Sequence, residues 1–583
     1  MKNATNFSLA IICAVAVILV LVTGINAGSV LNPTDYSKSI SYPIDTPAVT
    51  TQNRTIRAIA VPLASPKLLP SQAANYSQYG YGKWEYDPGT PYEKRLDLMQ
   101  PGYGSAPVAN AASLLNFFTI SDIHITDKES PAQGIYYGYK WGLVSGYTPA
   151  MLYSTQFLDA TIQTINSINK QRPLDFGISL GDDTNSGQYN ELRWFIDVLD
   201  GKKISPDSGA KDDPVLGPLN DYQDEFQAAG LDKSIPWYST IGNHDRFWMG
   251  LYAPDDYIKN AITGNTVLDI GNIFTNASGI KTRGYYMGVI DGKTPYGDVI
   301  GAGPVANFTF APTVPADSAR RFLLRNEWVS EFFNSSSSPV GHGFNQTDKA
   351  TGFACYTFEP KSDIPIKVIV LDDTQKDDDP SIGTSGHGSL DAERYNWLVN
   401  ELELGQSEGK LMVIAAHIPI GVKLPADGLA SLMSWSKYSA KTDAEILAKL
   451  HTYPNLILWV SGHRHSNTVT AQKSPDPTRP ELGFWEVETP SLREFPQQFR
   501  TFEIVRNSDD TISIFTTDVD PSVANNSLAG TSRAYAIAAK QVFNYSIDFE
   551  PSGAYNAELV KQLSPEMQAK IRGVGKAIAP KQG

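Results

Sequence analysis

Cysteine is almost missing: the chain holds only Cys13 and Cys355. Cys13 sits inside an apolar run near the N-terminus, so no disulfide can staple the body of the chain, and a cysteine-based zinc finger is excluded. Cys355 is read as a buried small hydrophobe. Positive charge is also short. Lys and Arg total 48 against 62 Asp and Glu, giving a formal net charge of −14. That balance argues against a surface built to grip nucleic-acid phosphates, and no binding to a nucleic-acid duplex is expected. It leaves a small anionic substrate open, because a bound metal reverses the local field. Histidine is scarce, at eight in 583 residues. Where those few fall therefore carries information.

What is present begins with "LAIICAVAVILVLV", Leu9 to Val22, a charge-free run after Lys2. It has the character of a secretory signal's apolar part and is short for a full span, which needs about 20 apolar residues. Ala27 offers a cleavage position, although Ile25 before it is larger than signal peptidases prefer. Residues 1–28 are thus either a cleaved signal peptide or an uncleaved membrane anchor. Both place the body outside the cytoplasm, secreted or anchored. Asn53, Asn75, Asn276, Asn307, Asn334, Asn345, Asn525 and Asn544 stand in Asn-x-Ser/Thr triplets, which accept glycans in a cell that makes them.

The composition, 41% hydrophobic and 19% charged, is that of a globular protein. The length allows several lobes or one large domain with insertions. Residues 29–110, rich in Ser, Thr, Pro, Tyr and Gly, read as a stalk that becomes an irregular N-terminal extension. Then come short apolar runs suited to buried strands: "LLNFFTI" to Ile120, "DFGISL" to Leu180, "IPWYSTI" to Ile241, "IKVIVL" to Leu371, "LMVIAA" to Ala416 and "LILWV" to Val460. Helical patterns lie between them. One is "TPAMLYSTQFLDATIQTINSIN"; another is "SLDAERYNWLVNELELG", with Ser389 as N-cap and Gly405 as stop. The alternation predicts a layered α/β core over 111–500. The pattern lapses over about 249–360, which reads as an insertion across one face. Within it, "ADSARRFLLRNEWVSEFF" predicts a helix with Arg320, Arg321 and Arg325 on a solvated face. Residues 501–583 predict two strands joined by a polar turn, then a tail packed on the core. No internal repeat is visible.

Nearly every apolar run ends in chemistry. "SDIH" supplies Asp122 and His124, "GDDTNSG" supplies Asp182, and "GNHD" supplies Asn243 and His244. "HIPIG" supplies His417, and "SGHRH" supplies His463 and His465. Five of the eight histidines thus fall at the C-terminal ends of predicted strands, the edge of an open α/β sheet where ligands bind. Imidazole and carboxylate ligands without thiolate suit Zn, Mn or Fe. Seven ligands are too many for one tetrahedral ion and enough for two if a carboxylate bridges. Asp245 is read as capping its turn, and Asp183 as an acid of no fixed role. His342, His387 and His451 receive no role.

The ordered set D-x-H, G-D, G-N-H-D, H and G-H-x-H resembles the metallophosphoesterase (calcineurin-like phosphoesterase) superfamily over roughly residues 110 to 500. The resemblance implies a four-layer αββα sandwich. It implies that Asp122, His124 and His465 hold one divalent metal, that Asn243, His417 and His463 hold a second, and that Asp182 bridges them. It further implies hydrolysis of a phosphate ester by a water or hydroxide between the ions, with His244 facing the phosphoryl group as a catalytic residue. Purple acid phosphatases carry a tyrosine, and protein Ser/Thr phosphatases an aspartate followed by arginine, where this chain has Asn185 and Ser186. "GDDTNSG" is closer to the cyclic-nucleotide and glycerophosphodiester phosphodiesterase branch, in which Asn185 would orient His244. A small phosphodiester is the expected substrate. A phosphomonoesterase or nucleotidase, and a surface glycoprotein that binds metal without turnover, are the alternatives.

Overall fold

The strands on which the reading above depends all form. In this computed structural model, which describes residues 49–104, 108–142, 146–271, 282–377, 379, 386–421, 435–544 and 553–578, β1 (Asn110–Ile120), β2 (Phe176–Ser179) and β3 (Trp237–Ser239) lie side by side and parallel. The apolar run Leu9 to Val22 and the triplet at Asn276 lie outside the described residues. Among those described, no helix is long and apolar enough to cross a membrane.

A second sheet follows, built on four parallel strands: β4 (Ile366–Leu371), β5 (Leu411–Ala416), β6 (Leu456–Ser461) and β7 (Phe484–Glu488). The chain then returns to the first sheet. There β8 (Phe499–Asn507) pairs antiparallel with β1, β9 (Ile512–Val519) with β8, and β10 (Ala557–Lys561) with β9. Glu93–Leu98 from the N-terminal extension adds an edge strand parallel to β10. The rest of that extension is mainly turns, plus a small ribbon of Arg54–Ala58 against Trp84–Pro88.

The two sheets are stacked, and strand periodicity shows why. β4 sends Ile366, Val368 and Val370 into the core shared with the first sheet, and Ile369 and Leu371 into the opposite cluster. β5 divides likewise, with Leu411, Val413 and Ala415 inward and Met412, Ile414 and Ala416 outward. Both faces are covered, so each strand reads as an unbroken apolar run instead of an alternation. The helices α1 (Ser154–Gln171) and α2 (Tyr189–Asp200) contribute Phe157, Ile162, Leu192 and Phe195 to the core containing the first sheet. Against the outer face of the second sheet lie Leu398 and Leu402 of α3 (Ala392–Ser407) and Ile446 and Leu450 of α4 (Asp443–Leu450). The result is a four-layer αββα sandwich. Truncating one of these side chains, as in Ile414→Ala, costs about 2–5 kcal/mol.

Three local expectations need correction. α3 is capped by Asp391, whose carboxylate accepts the Arg394 N–H, not by Ser389, and it runs through Gly405 to Ser407. "TPAMLYSTQ" is not one helix, because Pro149–Tyr153 forms a 3-10 turn before α1 begins at Ser154. The stretch at 316–333 is likewise no single helix: Ser318–Arg320 is a 3-10 turn, and only Arg325–Glu331 is α-helical.

That change of geometry alters the arginines. Arg320 is fully buried, pairing with Asp127 at 3.1 Å and donating to Ser208 and the Pro315 carbonyl. Arg325 is paired with Asp372. Only Arg321 keeps an exposed role, stacked over Tyr189 at 4.5 Å. Two of the three therefore tie loops together from inside, and the solvated face is withdrawn for them.

Residues 256–304 hold a helix (Asp256–Thr263) and a three-stranded sheet (Asp269–Ile270, Tyr285–Asp291 and Asp298–Pro304). Ile258, Ile262 and Met287 pack there on Tyr136, Tyr137 and Trp248, close to the loops that leave β1 and β3.

Candidate metal centre

The loops after β1, β2, β3, β5 and β6 meet at one point between the sheets. Main-chain bonds fix the meeting: Asp122 N–H donates to Gly181 O at 3.0 Å, His124 N–H to Asp182 O at 2.9 Å, and Gly462 N–H to His417 O at 2.9 Å. Asp122, His124, Asp182, His463 and His465 all have φ between +48° and +75°. They are five of the eleven described non-glycine residues in the left-handed region, where Asp and His are better tolerated than most residues but still carry a cost. Backbone strain is gathered at the site. Gly242 and Gly462 are required by close approach, since a Cβ there would collide with Asp182 and with Ser121 and Asp122, respectively.

Two donor sets result. In the first, His465 Nε2 is 3.2 Å from Asp122 Oδ1 and 3.1 Å from His124 Nε2, and His124 Nε2 is 3.8 Å from Asp182 Oδ2. In the second, Asn243 Oδ1 lies 2.9 Å from His417 Nε2 and 3.0 Å from His463 Nδ1, and His417 Nε2 lies 3.4 Å from Asp182 Oδ2. Asp182 Oδ2 belongs to both. The seven residues that the sequence singles out as ligands are brought together, and none is left elsewhere.

The donors fit divalent metal. His417 Nδ1 faces the Leu180 carbonyl at 2.8 Å, and His465 Nδ1 faces Glu494 Oε1 at 2.6 Å. Each contact leaves the Nε2 lone pair of its ring directed at the shared space. Asp122 Oδ1 is buried without a hydrogen-bond donor, and imidazole nitrogens face each other at 3.1 and 3.3 Å. Lone pairs that converge away from water need a cation between them.

The electrostatics follow from burial. Burial and the neighbouring His417 push His463 down to about 3. Burial opposes ionisation of Asp182, yet His417 and His244 around it hold the carboxyl well below its usual range. Burial would also lower His465, but Glu494 and Asp122 raise it to about 10.

His244 is held beside both sets. Its N–H donates to Asp182 Oδ1 at 2.7 Å, its ring meets that of His124 edge-on at 4.5 Å, and its Nδ1 sits 2.7 Å from the Asn185 carbonyl. The orienting group is therefore the main chain of Asn185. The Asn185 side chain is engaged elsewhere, accepting from Arg493 and donating to Gln133 Oε1 at 2.9 Å. Asp245 caps two turns at once, accepting the N–H groups of Gly242 and Asp182 at 2.9 Å and of Thr184 at 3.0 Å. Asp183 is fully buried between Ser179 and Ser239, not a surface acid. His342 is buried and stacked on Trp237, and His451 Nδ1 lies 2.9 Å from the Leu482 carbonyl. Cys355 is buried and free.

Neither a family model nor a curated protein sequence matches the chain. Among solved structures, a dimetal phosphatase from Danio rerio aligns with a TM-score of 0.36 and 11% identity, covering 71% of this chain and 100% of that one. At that score none of its chemistry is carried over. The buried Asp and His groups themselves have the composition and spacing to hold metal ions.

Sequence reasoning missed three supports. Glu494 and Arg493 come from the loop after β7, whose "SLREF" has no motif to announce it. Asp373, which accepts the Ile418 N–H at 3.0 Å beside His417, did have a signal: "DD" follows β4 as chemistry follows the other strands.

Proposed function

We propose that this protein is a dinuclear metal-dependent phosphoric ester hydrolase acting on small phosphodiesters. The observation that carries the reading is Asp182 Oδ2, which reaches His124 of one donor set and His417 of the other. A single buried carboxylate shared by two nitrogen-rich sets is what a pair of divalent ions requires. The motif order resembling the metallophosphoesterase superfamily supports it independently. In this reading Asp122, His124 and His465 hold one ion, and Asn243, His417 and His463 hold the other.

When bound, two such ions would clamp the phosphate and would lower the pKa of a water between them towards about 7. The chain's own residues do the rest. Asn243 contributes a neutral oxygen, so the pocket keeps more positive charge for an anionic ester than a carboxylate would leave. Glu494 sets the tautomer of His465, and the Leu180 carbonyl sets that of His417. His244, fixed through Nδ1 by Asn185 O, presents Nε2 to the phosphoryl group; burial holds its ring below the usual imidazole range despite Asp182, so it donates to the leaving oxygen only when the bound ester's charge lets it take up a proton. Asn185 and Ser186, in place of the tyrosine or arginine of monoester-cleaving relatives, favour the diester. The stretch at 249–360 is assigned substrate selection, and the run Leu9 to Val22 an extracytoplasmic setting.

The test is turnover of bis(p-nitrophenyl) phosphate and p-nitrophenyl phosphate by the full chain with added Mn or Zn. Preference for the diester is expected. Preference for the monoester would convert the assignment to a phosphomonoesterase. Bound metal with no turnover of either ester would leave a metal-binding protein only.

A further inference from the structure

Two adjacent residues of the loop after β7 serve opposite sides of the candidate site. Glu494 turns to His465 Nδ1 at 2.6 Å and to Lys540 at 2.8 Å. Arg493 turns the other way and donates through Nη1 to the side-chain oxygen of Asn185. The loop is anchored where it begins: the Ser491 hydroxyl donates to Asp122 O at 2.7 Å and accepts the Arg493 N–H at 2.9 Å. A cation is thus brought to Asn185, whose carbonyl lies 2.7 Å from His244 Nδ1.

Asn185 is gripped on three sides. Its N–H donates to Ile125 O at 2.9 Å, its Nδ2 donates to Gln133 Oε1 at 2.9 Å, and its Oδ1 accepts from Arg493. The chain of bonds permits only this orientation of the two amides. Gln133 Nε2 donates to the Asp127 carbonyl at 3.0 Å and to Glu191 Oε1 at 3.3 Å, both of them acceptors, so Gln133 Oε1 is the atom left for Asn185. Asn185 must then offer Nδ2 to Gln133 and Oδ1 to Arg493. Asn185, Gln133 and Glu191 are fully buried and Arg493 is 3% exposed, so these bonds do not compete with bulk water. The bond from Arg493 is the strong one, because its donor is charged.

We propose that, on the function proposed above, Arg493 is a positioning residue for His244, acting through Asn185. The side chain and the carbonyl of Asn185 hang from one residue, so holding the amide at both ends fixes the direction of the carbonyl. That carbonyl in turn fixes the ring: Nδ1 faces an acceptor and carries hydrogen, and Nε2 is left for the phosphoryl group. Arg493 itself moves no proton. An aspartate at position 185 would accept from Arg493 but would bring no N–H to Gln133 Oε1, so the amide is the group that both partners require.

A double-mutant cycle on the full chain tests the link, with metal content measured in every variant. Arg493→Met should keep its metal and lower kcat about 10–100-fold with KM little changed, as for a reacting group misplaced by about 1 Å. The loss should be greater on diphenyl phosphate than on bis(p-nitrophenyl) phosphate, because the poorer leaving group needs the proton of His244 more. In a His244→Ala background, Arg493→Met should cost nothing further. Arg493→Lys, which keeps a charged donor, should lie between wild type and Arg493→Met and takes its place in the cycle should Arg493→Met not fold. Nitrogen-15 spectra of the histidine rings need no turnover: the His244 resonance, assigned by its loss in His244→Ala, should show hydrogen on Nδ1 in wild type and a mixture of tautomers in the Arg493 variant. The proposal is overturned if the two substitutions reduce kcat independently, or if the His244 tautomer is the same in wild type and variant. Failure of wild type to turn over any ester, or full activity of His244→Ala, would sink the role of His244 instead, and the ring spectra alone would then decide whether Arg493 holds it.

Discussion

Asp182 holds His244 by the main chain: its Oδ1 accepts the His244 N–H at 2.7 Å while its Oδ2 turns to the histidines of both donor sets. On the proposed function, one carboxylate would thus link metal binding to the placement of His244. Asp182→Ala should therefore remove both metals and, with them, activity on either ester. Metal analysis of the purified variant checks this. A variant that keeps two ions per chain would show that Asp182 is not shared.

His244→Ala should behave differently: a ring nitrogen of His244 lies within 4.8 Å of donor atoms of His124 and Asp182, but the ring is fixed through Nδ1 on the Asn185 carbonyl and is assigned to substrate, not to metal. Metal content should stay at the wild-type level while kcat falls by about 10²–10⁴, the range for a lost general acid. Loss of metal in this variant would make His244 a ligand and withdraw its proposed role.

These two residues also show how far the sequence reaches. Strands β4, β5 and β6 are legible because both their faces are buried, which writes them as continuous apolar runs. The site is legible because Asp, Asn and His follow those runs directly, with spacing set by turns that only a few residue types tolerate. Glu494 and Arg493 are not legible. They reach His465 and Asn185 from a loop without periodicity, and only the tertiary fold brings them there. Arg320 and Arg325 misled for a related reason. Their partners Asp127 and Asp372 are distant in sequence, so an amphipathic-helix reading left them in solvent.

Glu494 deserves its own experiment. It contacts His465 Nδ1 at 2.6 Å and is paired with Lys540 at 2.8 Å. Glu494→Gln should keep the fold and weaken one metal about 10–100-fold, as removal of such carboxylate support does elsewhere. Competition with a calibrated chelator measures the loss. Equal weakening of both ions would contradict the assignment of His465 to one donor set.

Far from the centre, His342 should make the protein sensitive to acid. It is fully buried, with its ring 3.6 Å from that of Trp237 and Nδ1 2.9 Å from the Trp237 carbonyl. Burial pushes its pKa down to about 4 from the usual imidazole value of about 6.5. The sign follows from proton counting: between those pH values the unfolded chain binds a proton at this residue that the folded chain refuses. The contribution is intact above about pH 6.5 and is lost as pH falls towards 4, to a total of about 3 kcal/mol. Denaturant melts across that window should show the slope in wild type and a shallower one in His342→Gln. An unchanged slope would mean that His342 is protonated in the folded chain, against its burial and the unpartnered Nε2 seen here.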